Sequence, residues 1–474
     1  MFKEYFDADQ SAAYGVIAHN DFIYATGTHT DLDMGYQGIY ILKLDLQGNV
    51  LSYLEYFDLD DPLFFQNLIF DVQILDSFLY TGLSAVSGQD RIVKYNLETD
   101  TIESVYFIPK LSELAPPIIR SIGADTNDIF VLFNNNGNGP LTNTKIILQV
   151  GIDLDQTKVT IDRPNKREIA HKVYSGNGGN FFISNSIYED ELFKSQVNLI
   201  EIDSLGNIVW EYVVEEFSFF ALDFICHASG QKVLIYLEFN NFNESRPVIE
   251  KINSDGEIIW RSYIGGNLWD DSFTSFWNRI QISNEGDGYI FAGTNKELVG
   301  IDSFQFLGVI GKLSLDGDSL WYKRFTLVED EEIRAHSIFD LEKSIDGYVA
   351  VGRIVYKFVD QSRPPLQSYF IKIDNDGNIN SDTTSANEIF ENSLSLKIKI
   401  YPNPVSDYFY IEQTDISNIN YQLLDSQGRL VKQFKAESPN QVLIVPVVGL
   451  VKGNYFLKAV SSSGEDSSWS IVIN

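Results

Sequence analysis

The sequence predicts an all-β fold, and three observations carry this prediction. First, a turn signature of Asp, Asn or Ser with Gly three residues later recurs along the chain, with clear copies beginning at Asp45, Asp203, Asn253, Ser314 and Asp374 and degraded copies near Asn96 and Asp153. Second, successive copies stand 50 to 61 residues apart, a period typical of four-stranded antiparallel units. Third, 44% of the residues are hydrophobic and 14% aromatic, which indicates a packed β-rich chain rather than a disordered one. Together they predict a seven-bladed β-propeller over residues 1–380.

Each repeat unit begins with two strands around a tight turn, as in residues 22–27 and 347–352, where the second strand ends in Gly. The third strand alternates apolar and polar residues into the repeated turn, and the fourth strand follows it. In three units a Trp stands four residues after the turn Gly: Trp210, Trp260 and Trp321. We expect these rings to pack between neighbouring blades rather than to serve as a ligand platform.

The last repeat unit lacks a usable outer strand, because after Gly377 it runs into a polar stretch. Residues 3–7 nearly repeat residues 54–58, which occupy the outer-strand position of the first unit. We therefore predict that the N-terminal strand closes the ring by pairing with the last blade. This pairing would cover a sheet edge that otherwise favours aggregation.

A shorter all-β module follows the repeats. Residues 381–395 are polar, lack periodicity and predict a linker. About seven short alternating segments in residues 396–474 predict a small β-sandwich of the immunoglobulin-like kind.

Three blocks of this module carry a resemblance to a known family: Tyr401-Pro402-Asn403-Pro404, residues 421–431 with the turn at Gly428, and Gly453-Asn454-Tyr455-Phe456-Leu457. In this order at the end of a chain, they resemble the C-terminal sorting domain of the type IX secretion system. The resemblance implies the type IX machinery as a partner, export across the outer membrane of a gram-negative bacterium, and a protein that is released or anchored at the cell surface. The alternative is a generic sandwich module without a sorting role.

Two departures from the family pattern are visible. The family often has a basic residue near the terminus, whereas this chain ends Trp469-Ser470-Ile471-Val472-Ile473-Asn474. The family also implies an N-terminal export signal, whereas Met1 leads straight into a strand. We therefore expect either a mature or trimmed form, or a start placed too far downstream. The propeller itself resembles, more weakly, the tryptophan-containing surface repeats often joined to such domains, through residues 263–271, 287–289 and 308–321.

Composition excludes several function classes. The net charge is −31, and almost all of it lies before residue 391, which makes binding to nucleic acid or to anionic lipid unfavourable. The single cysteine, Cys226, excludes an intrachain disulfide and a multi-cysteine zinc site, and we expect it to pack in the core. No apolar run is long enough to predict a transmembrane segment. We expect a monomer.

No catalytic motif stands out. The sequence has no phosphate-binding Gly-rich loop, no His-Glu-x-x-His helix and no Gly-x-Ser-x-Gly elbow, and its five histidines are scattered. We expect no cofactor and leave the metal content open. Asp374-Asn375-Asp376-Gly377-Asn378 has the opening spacing of a calcium loop, but the downstream Glu is absent, so hairpin geometry is the simpler explanation and calcium the alternative.

One pattern suggests binding. The loops from each outer strand to the next unit are acidic, and in a propeller such loops share one rim. Glu215 and Glu216 belong to this set. Our candidate rim site, which would bind a cation, a glycan or a basic surface protein, consists of Asp60, Asp61, Trp269, Asp270, Asp271, Asp330 and Glu331. The alternative is a solubilising acidic surface.

The sequence therefore favours a secreted or surface-displayed, non-enzymatic propeller that binds or adheres through its acidic rim. The competing class is a secreted glycan-active hydrolase or lyase that uses paired rim carboxylates. A third option is a scaffold whose contacts are all with other proteins.

Overall fold

The structure is a computed structural model of the chain. It describes residues 2–5, 10–31, 36–56, 71–83, 90–107, 117–125, 128–135, 145–150, 157–161, 167–189, 194–216, 218–241, 244–264, 276–300, 303–325, 333–356, 366–379, 398–401, 405, 408–413, 419–425, 429–436, 442–460 and 466–473.

The chain divides into two compact units, Met1–Asn380 and Ser381–Asn474. The predicted linker, residues 381–395, lies outside the described residues. Across the described ranges, no helix has the length and apolar character needed to span a membrane.

Within the residues that the structure describes, the first unit contains seven sets of four antiparallel strands, which we number sheets 1 to 7. Sheets 1 to 4 are β2 (Gln10–His19), β3 (Phe22–Asp31), β4 (Tyr36–Asp45) and β5 (Val50–Tyr56); β6 (Val72–Leu75), β7 (Phe78–Leu83), β8 (Arg91–Asn96) and β9 (Thr101–Phe107); β10 (Pro117–Ala124), β11 (Ile129–Asn135), β12 (Lys145–Val150) and β13 (Thr157–Ile161); and β14 (Arg167–Ser175), β15 (Phe181–Glu189), β16 (Lys194–Ile202) and β17 (Ile208–Val213). A short 3₁₀ turn, Asn177–Gly179, joins β14 to β15.

Sheets 5 and 6 are β18 (Ser218–Cys226), β19 (Lys232–Asn241), β20 (Glu244–Ile252) and β21 (Ile258–Tyr263); and β22 (Phe276–Ile282), β23 (Gly288–Gly300), β24 (Ser303–Ser314) and β25 (Ser319–Phe325). Sheet 7 contains β26 (Ile333–Ser344), β27 (Gly347–Tyr356), β28 (Leu366–Ile373) and, from the start of the chain, β1 (Phe2–Tyr5). The parallel pairing of Phe306 with Ala335 joins sheets 6 and 7.

The sheets form a closed ring, because the first strands of successive sheets contact each other all the way round, from β2 through β6, β10, β14, β18, β22 and β26 back to β2. The fold is a β-propeller. β1 pairs antiparallel with β28 from Phe2 opposite Ile371 to Tyr5 opposite Ser368, so the opening strand supplies the outer strand of the last sheet. This pairing confirms the closure predicted from the repeat of residues 54–58 in residues 3–7.

Local sequence explains the repeated turns. In sheet 7, the Asp374 carboxylate accepts hydrogen bonds from the amides of Asp376 and Asn378 at 3.0 and 2.8 Å, and Gly377 adopts a φ of +78°. Asp203 and Asn253 make the same pair of bonds in sheets 4 and 5. The signature is thus a hairpin turn that an Asp or Asn side chain closes on its own backbone.

The three repeated tryptophans pack between neighbouring sheets, as predicted. Trp260 donates its indole N–H to the Leu315 carbonyl of the next sheet at 2.9 Å. A Cβ added at Gly317 would lie 2.7 Å from the Trp260 ring, and one at Gly377 would lie 2.6 Å from the Trp321 ring. The indole ring of one unit therefore occupies the space beside the turn Gly of the next unit, where a larger residue would have a side chain.

Lysines of the third strands add a second link between sheets. Lys372 of sheet 7 donates to the Leu46 carbonyl of sheet 1 at 2.8 Å, and Lys251 of sheet 5 donates to the Leu315 carbonyl of sheet 6 at 3.3 Å. The first of these bonds closes the ring between its last and first sheets.

Cys226 corrects one expectation. It ends β18 and is exposed rather than packed in the core. The apolar residues around it suggested burial, but the hairpin that begins at His227 follows directly.

The second unit has two sheets around one core. The strands are β29 (Ile398–Tyr401), β30 (Tyr408–Gln413), β31 (Ile419–Asp425), β32 (Leu430–Ala436), β33 (Val442–Pro446), β34 (Gly453–Val460) and β35 (Asp466–Ile473). One sheet has the order β29-β30-β33 and the other β32-β31-β34-β35. Phe409 and Ile411 from the first sheet and Tyr421 and Leu457 from the second share a fully buried core. This arrangement is a small β-sandwich.

Candidate functional site in the centre of the ring

One position recurs on, or directly before, the first strand of every sheet. Its occupants in sheets 1 to 7 are Gly15, Asp71, Ser121, Lys172, Asp223, Arg279 and Asp340. In five of these strands a register shift of one residue immediately precedes the position, between residues 13 and 15, 119 and 121, 170 and 172, 277 and 279, and 338 and 340. A β-bulge changes the direction of the following side chain. In these five sheets, the bulge thus directs the recurring position toward the centre of the ring.

Five of these seven residues are charged and buried, and we call them the central cluster: Asp71, Lys172, Asp223, Arg279 and Asp340. Their exposed fractions lie between 0% and 7%, a burial that charged side chains tolerate only when they are paired.

Ion pairs connect the cluster across the ring. Lys172 pairs with Asp71, and Arg279 pairs with Asp340. Arg279 Nη1 also lies 3.3 Å from Asp71 Oδ1 and 3.9 Å from Asp223 Oδ2. Arg279 of sheet 6 therefore contacts carboxylates from sheets 2, 5 and 7.

The same carboxylates also bind the backbone of the next sheet. Asp71 Oδ2 accepts the Ile122 amide at 3.1 Å, and Asp223 Oδ2 accepts the Ile280 amide at 3.0 Å. Between sheets 7 and 1, Asp340 Oδ2 accepts the Val16 amide at 2.8 Å. Each aspartate thus binds the backbone amide of the residue that follows the recurring position in the next sheet.

The basic positions break this pattern, because a lysine or an arginine cannot accept a hydrogen bond. Lys172 lies in sheet 4 and Arg279 in sheet 6, so the next sheets, 5 and 7, receive no acceptor from them. In sheets 5 and 7, the cluster aspartate instead accepts a hydrogen bond from the amide of the residue that follows it in the chain. Asp223 Oδ1 accepts from Phe224 at 3.0 Å, and Asp340 Oδ1 accepts from Leu341 at 2.8 Å. The buried amides are satisfied in both cases.

The electrostatics of the carboxyl groups differ. Burial alone would raise the pKa of Asp71, but Lys172, Arg279 and the hydrogen bond from Ser121 together bring that pKa below its ordinary value. Burial dominates for Asp340 and raises its pKa, although Arg279 and the Val16 amide act against it. Burial also raises the pKa of the neighbouring Glu342. The cluster holds three carboxyl groups and two cations, so one carboxyl group has no cation of its own.

This arrangement can hold the sheets together, but its charged groups are already paired within the chain and do not face a substrate. Its carboxylates point at cations and backbone amides of the same chain, which is the geometry of a structural network. Within the described ranges, no three His, Cys, Asp or Glu side chains are arranged to hold a metal ion.

The predicted rim residues Asp60, Asp61, Trp269, Asp270, Asp271, Asp330 and Glu331 lie outside the described residues. Of the rim acids, Glu215 and Glu216 are described. Glu216 Oε2 accepts a hydrogen bond from Arg261 at 3.0 Å, and this bond lowers the pKa of Glu216 although partial burial opposes it.

Of the predicted sorting-motif residues, Tyr401 ends β29, whereas Pro402, Asn403, Pro404 and Gly428 lie outside the described residues. Gly453 begins β34 with a φ of +149°. Tyr455 is buried in the sandwich core and donates its hydroxyl hydrogen to the Val451 carbonyl at 2.8 Å. Gly453 and Tyr455 therefore have structural roles in the sandwich.

The central cluster was not predicted from the sequence. In the sequence, each member of the cluster is one charged residue among apolar ones, and such a residue looks like any other polar residue of a strand. The signal lies in the repeat: Gly15 and Asp71 each stand five residues before a hairpin residue with positive φ, Asn20 and Asp76. Alignment of the units on these hairpins would have shown the recurrence.

Comparison with known proteins identifies the second unit. Residues 399–474 match the family described as a secretion system C-terminal sorting domain. This match indicates a protein that is secreted or displayed at the outer-membrane surface, and it confirms the resemblance found in the sequence. No curated protein matches the chain.

Solved structures of similar fold include a polysaccharide lyase, ulvan lyase, bound to a saccharide, with 9% identity, a TM-score of 0.49 and coverage of 79% of this chain and 96% of that one. Another is the β-propeller domain of the Trilobed protease from Pyrococcus furiosus, with 11% identity, a TM-score of 0.40 and coverage of 76% and 95%. A third is the acylaminoacyl peptidase of Pyrococcus horikoshii, with 11% identity, a TM-score of 0.42 and coverage of 86% and 58%. TM-scores below 0.5 carry no information about the activity of this chain.

Proposed function

We propose that this protein is a β-propeller that the type IX secretion system exports and that acts outside the cell by binding rather than by catalysis. The observation that carries the proposal is the sorting domain at residues 399–474, joined to a propeller of strongly negative charge. A protein that leaves the cell with this charge would meet cations, glycans and basic surface proteins.

The central cluster does not have the geometry of a catalytic site. A catalytic carboxyl group must reach its substrate and exchange a proton with it. Asp71, Asp223 and Asp340 are instead buried and face Lys172, Arg279 and backbone amides. The ligand site of the proposal is therefore the acidic rim, with Asp270, Asp271, Asp330 and Glu331 as its contributing carboxylates.

Export is tested with the full chain behind an N-terminal export signal, in a bacterium that has a type IX system. We expect the chain in the medium or on the cell surface, and we expect deletion of residues 396–474 to retain it in the cell. Export of the deleted chain at the level of the full chain would contradict the proposal.

Binding is tested by calorimetry with calcium and by a glycan array with and without calcium. The rim variants are Asp270→Asn/Asp271→Asn and Asp330→Asn/Glu331→Gln, and the matched control is Asp255→Asn, an exposed residue of a repeated turn. We expect the rim variants to lose the signal and the control to keep it. No signal from the unmodified protein in either experiment would contradict the rim site, and cleavage of an arrayed glycan would favour an enzyme instead.

A further inference from the structure

The four edge strands of the sandwich differ in how they are protected. Native sheets discourage unwanted pairing with basic residues or proline on their edge strands. Three of these edges carry such residues: Lys399 on β29, Lys432 and Lys435 on β32, and Pro446 on β33. Lys432 also donates to the Pro446 carbonyl at 2.7 Å, so the β32 and β33 edges are joined by a side chain.

β35 lacks this protection. It runs Asp466-Ser467-Ser468-Trp469-Ser470-Ile471-Val472-Ile473 and has neither a basic residue nor a proline. Its only charge is at its first residue. It is one of the longest strands of the sandwich, and its β-branched and aromatic residues favour the extended conformation.

The backbone of β35 is paired on one side. β34 pairs with it along its whole length, from Gly453 opposite Ile473 to Val460 opposite Asp466. On its other side, within the described ranges, the only pairing is the isolated bridge between Ile473 and Val405. Successive amides of a strand point alternately to its two sides, so the outward groups of residues 466–472 form a row of donors and acceptors.

We propose that β35 is the docking edge of the sorting domain, and that a component of the export machinery binds it by adding an extended strand of its own. The inference rests on the proposed function, because the sorting domain supplies the identity of the partner. Strand addition uses main-chain hydrogen bonds for affinity and requires an edge that is open and unguarded. Of the four sandwich edges described, β35 alone has no basic residue and no proline.

The sharpest test uses two adjacent identical residues. Ser467 pairs with Ala459 and Ser468 with Lys458, so one of the two amides points to β34 and the other to the open edge. Ser467→Pro and Ser468→Pro each remove one amide hydrogen. We expect one variant to lower the melting temperature and the other to leave it nearly unchanged, and Ser→Ala at both positions to behave as the unmodified chain.

In the full chain behind an export signal, we expect the proline variant with unchanged melting to be exported about tenfold less, the effect of losing one or two backbone hydrogen bonds at an interface. The double variant Ser468→Lys/Ser470→Lys keeps every amide and adds the missing basic residues, and we expect the same loss. The matched control, Gln433→Lys on the already basic β32, should be exported normally.

Normal export of Ser468→Lys/Ser470→Lys would overturn the docking edge. The deletion of residues 396–474 separates this result from a failure of the proposed function. If the deletion blocks export and the edge variants do not, the sorting role stands and the edge is wrong. If the deletion itself is exported, both fail.

Discussion

Arg279 shows how much a single residue contributes to the ring. It is buried, and its guanidinium group meets carboxylates from three other sheets. Burying a charge is costly, and the cost is recovered only when the partners are well placed. Removing one partner from such a group is therefore more damaging than removing an exposed charge.

We predict that Asp71→Asn lowers the free energy of unfolding by about 3–5 kcal/mol at pH 7, since Lys172 and Arg279 stay buried with one carboxylate fewer. The pKa of Asp71 is lowered in the fold, so its stabilisation is present above about pH 3.9 and is lost as the pH falls through the folded pKa. The deficit of Asp71→Asn should therefore shrink in acid. Denaturant unfolding from about pH 3 to 7 measures it.

Asp340→Asn should show the opposite pH dependence of its stability deficit. Burial raises the pKa of Asp340, so the unmodified chain loses stability as the pH rises from about 3.9 through the raised value. The deficit of Asp340→Asn should be largest in acid and smaller at neutral pH. Asp376→Asn, at an exposed turn, should change stability by less than about 0.5 kcal/mol. Parallel pH profiles for the two buried variants would contradict this assignment.

At the scale of the strand and turn, the repeat links a Gly in one unit to a Trp in the preceding one. Gly317 has a φ of +88°, and an added Cβ would meet the Trp260 ring. Gly286 has a φ of +70°, and an added Cβ would meet nothing within 4 Å. These two glycines separate the cost of backbone conformation from the cost of packing.

We predict that Gly317→Ala lowers the free energy of unfolding by about 2–4 kcal/mol, from the positive φ together with overpacking. Gly286→Ala should cost only about 1–2 kcal/mol, from the positive φ alone. In a Trp260→Ala background, the excess cost at Gly317 should disappear, which a double-mutant cycle measures. An equal cost in both backgrounds would show that the ring and the glycine are independent.

The elements were more predictable than the contacts between them. About seven short strands were predicted in residues 396–474, and the structure describes seven there, including Leu430–Ala436 and Asp466–Ile473. Strand alternation and turn residues are local signals, so they are visible in one sequence. The partners of Arg279 come from strands about 55 to 210 residues away, and no local signal predicts such a set.

At the scale of the whole molecule, closure of the ring depends on its first residues. Phe2–Tyr5 pairs with β28, Val16 binds Asp340, and the Tyr40 hydroxyl donates to Ser368 Oγ at 2.8 Å. Sheets 1 and 7 are therefore joined by contacts in the inner part of the ring and by a strand at its outer edge.

We predict that deletion of residues 1–8 lowers the melting temperature and removes about 2–4 kcal/mol of stability, the contribution of a few backbone hydrogen bonds. Differential scanning calorimetry measures the change. A synthetic peptide of residues 1–8 should restore part of it in a concentration-dependent way, because it can occupy the vacated edge. Identical melting of the full and shortened chains would refute the closing role of β1.

Because Phe2 pairs with Ile371, the propeller can close only after nearly all of the first unit has been synthesised. Closing so long a loop carries a large entropic cost, so this step is expected late in folding. A ribosome that stops before β28 releases a product whose first strand has no place to bind. The same product lacks the sorting domain on which the proposed export depends, so we expect a prematurely terminated chain to be both open and not exported.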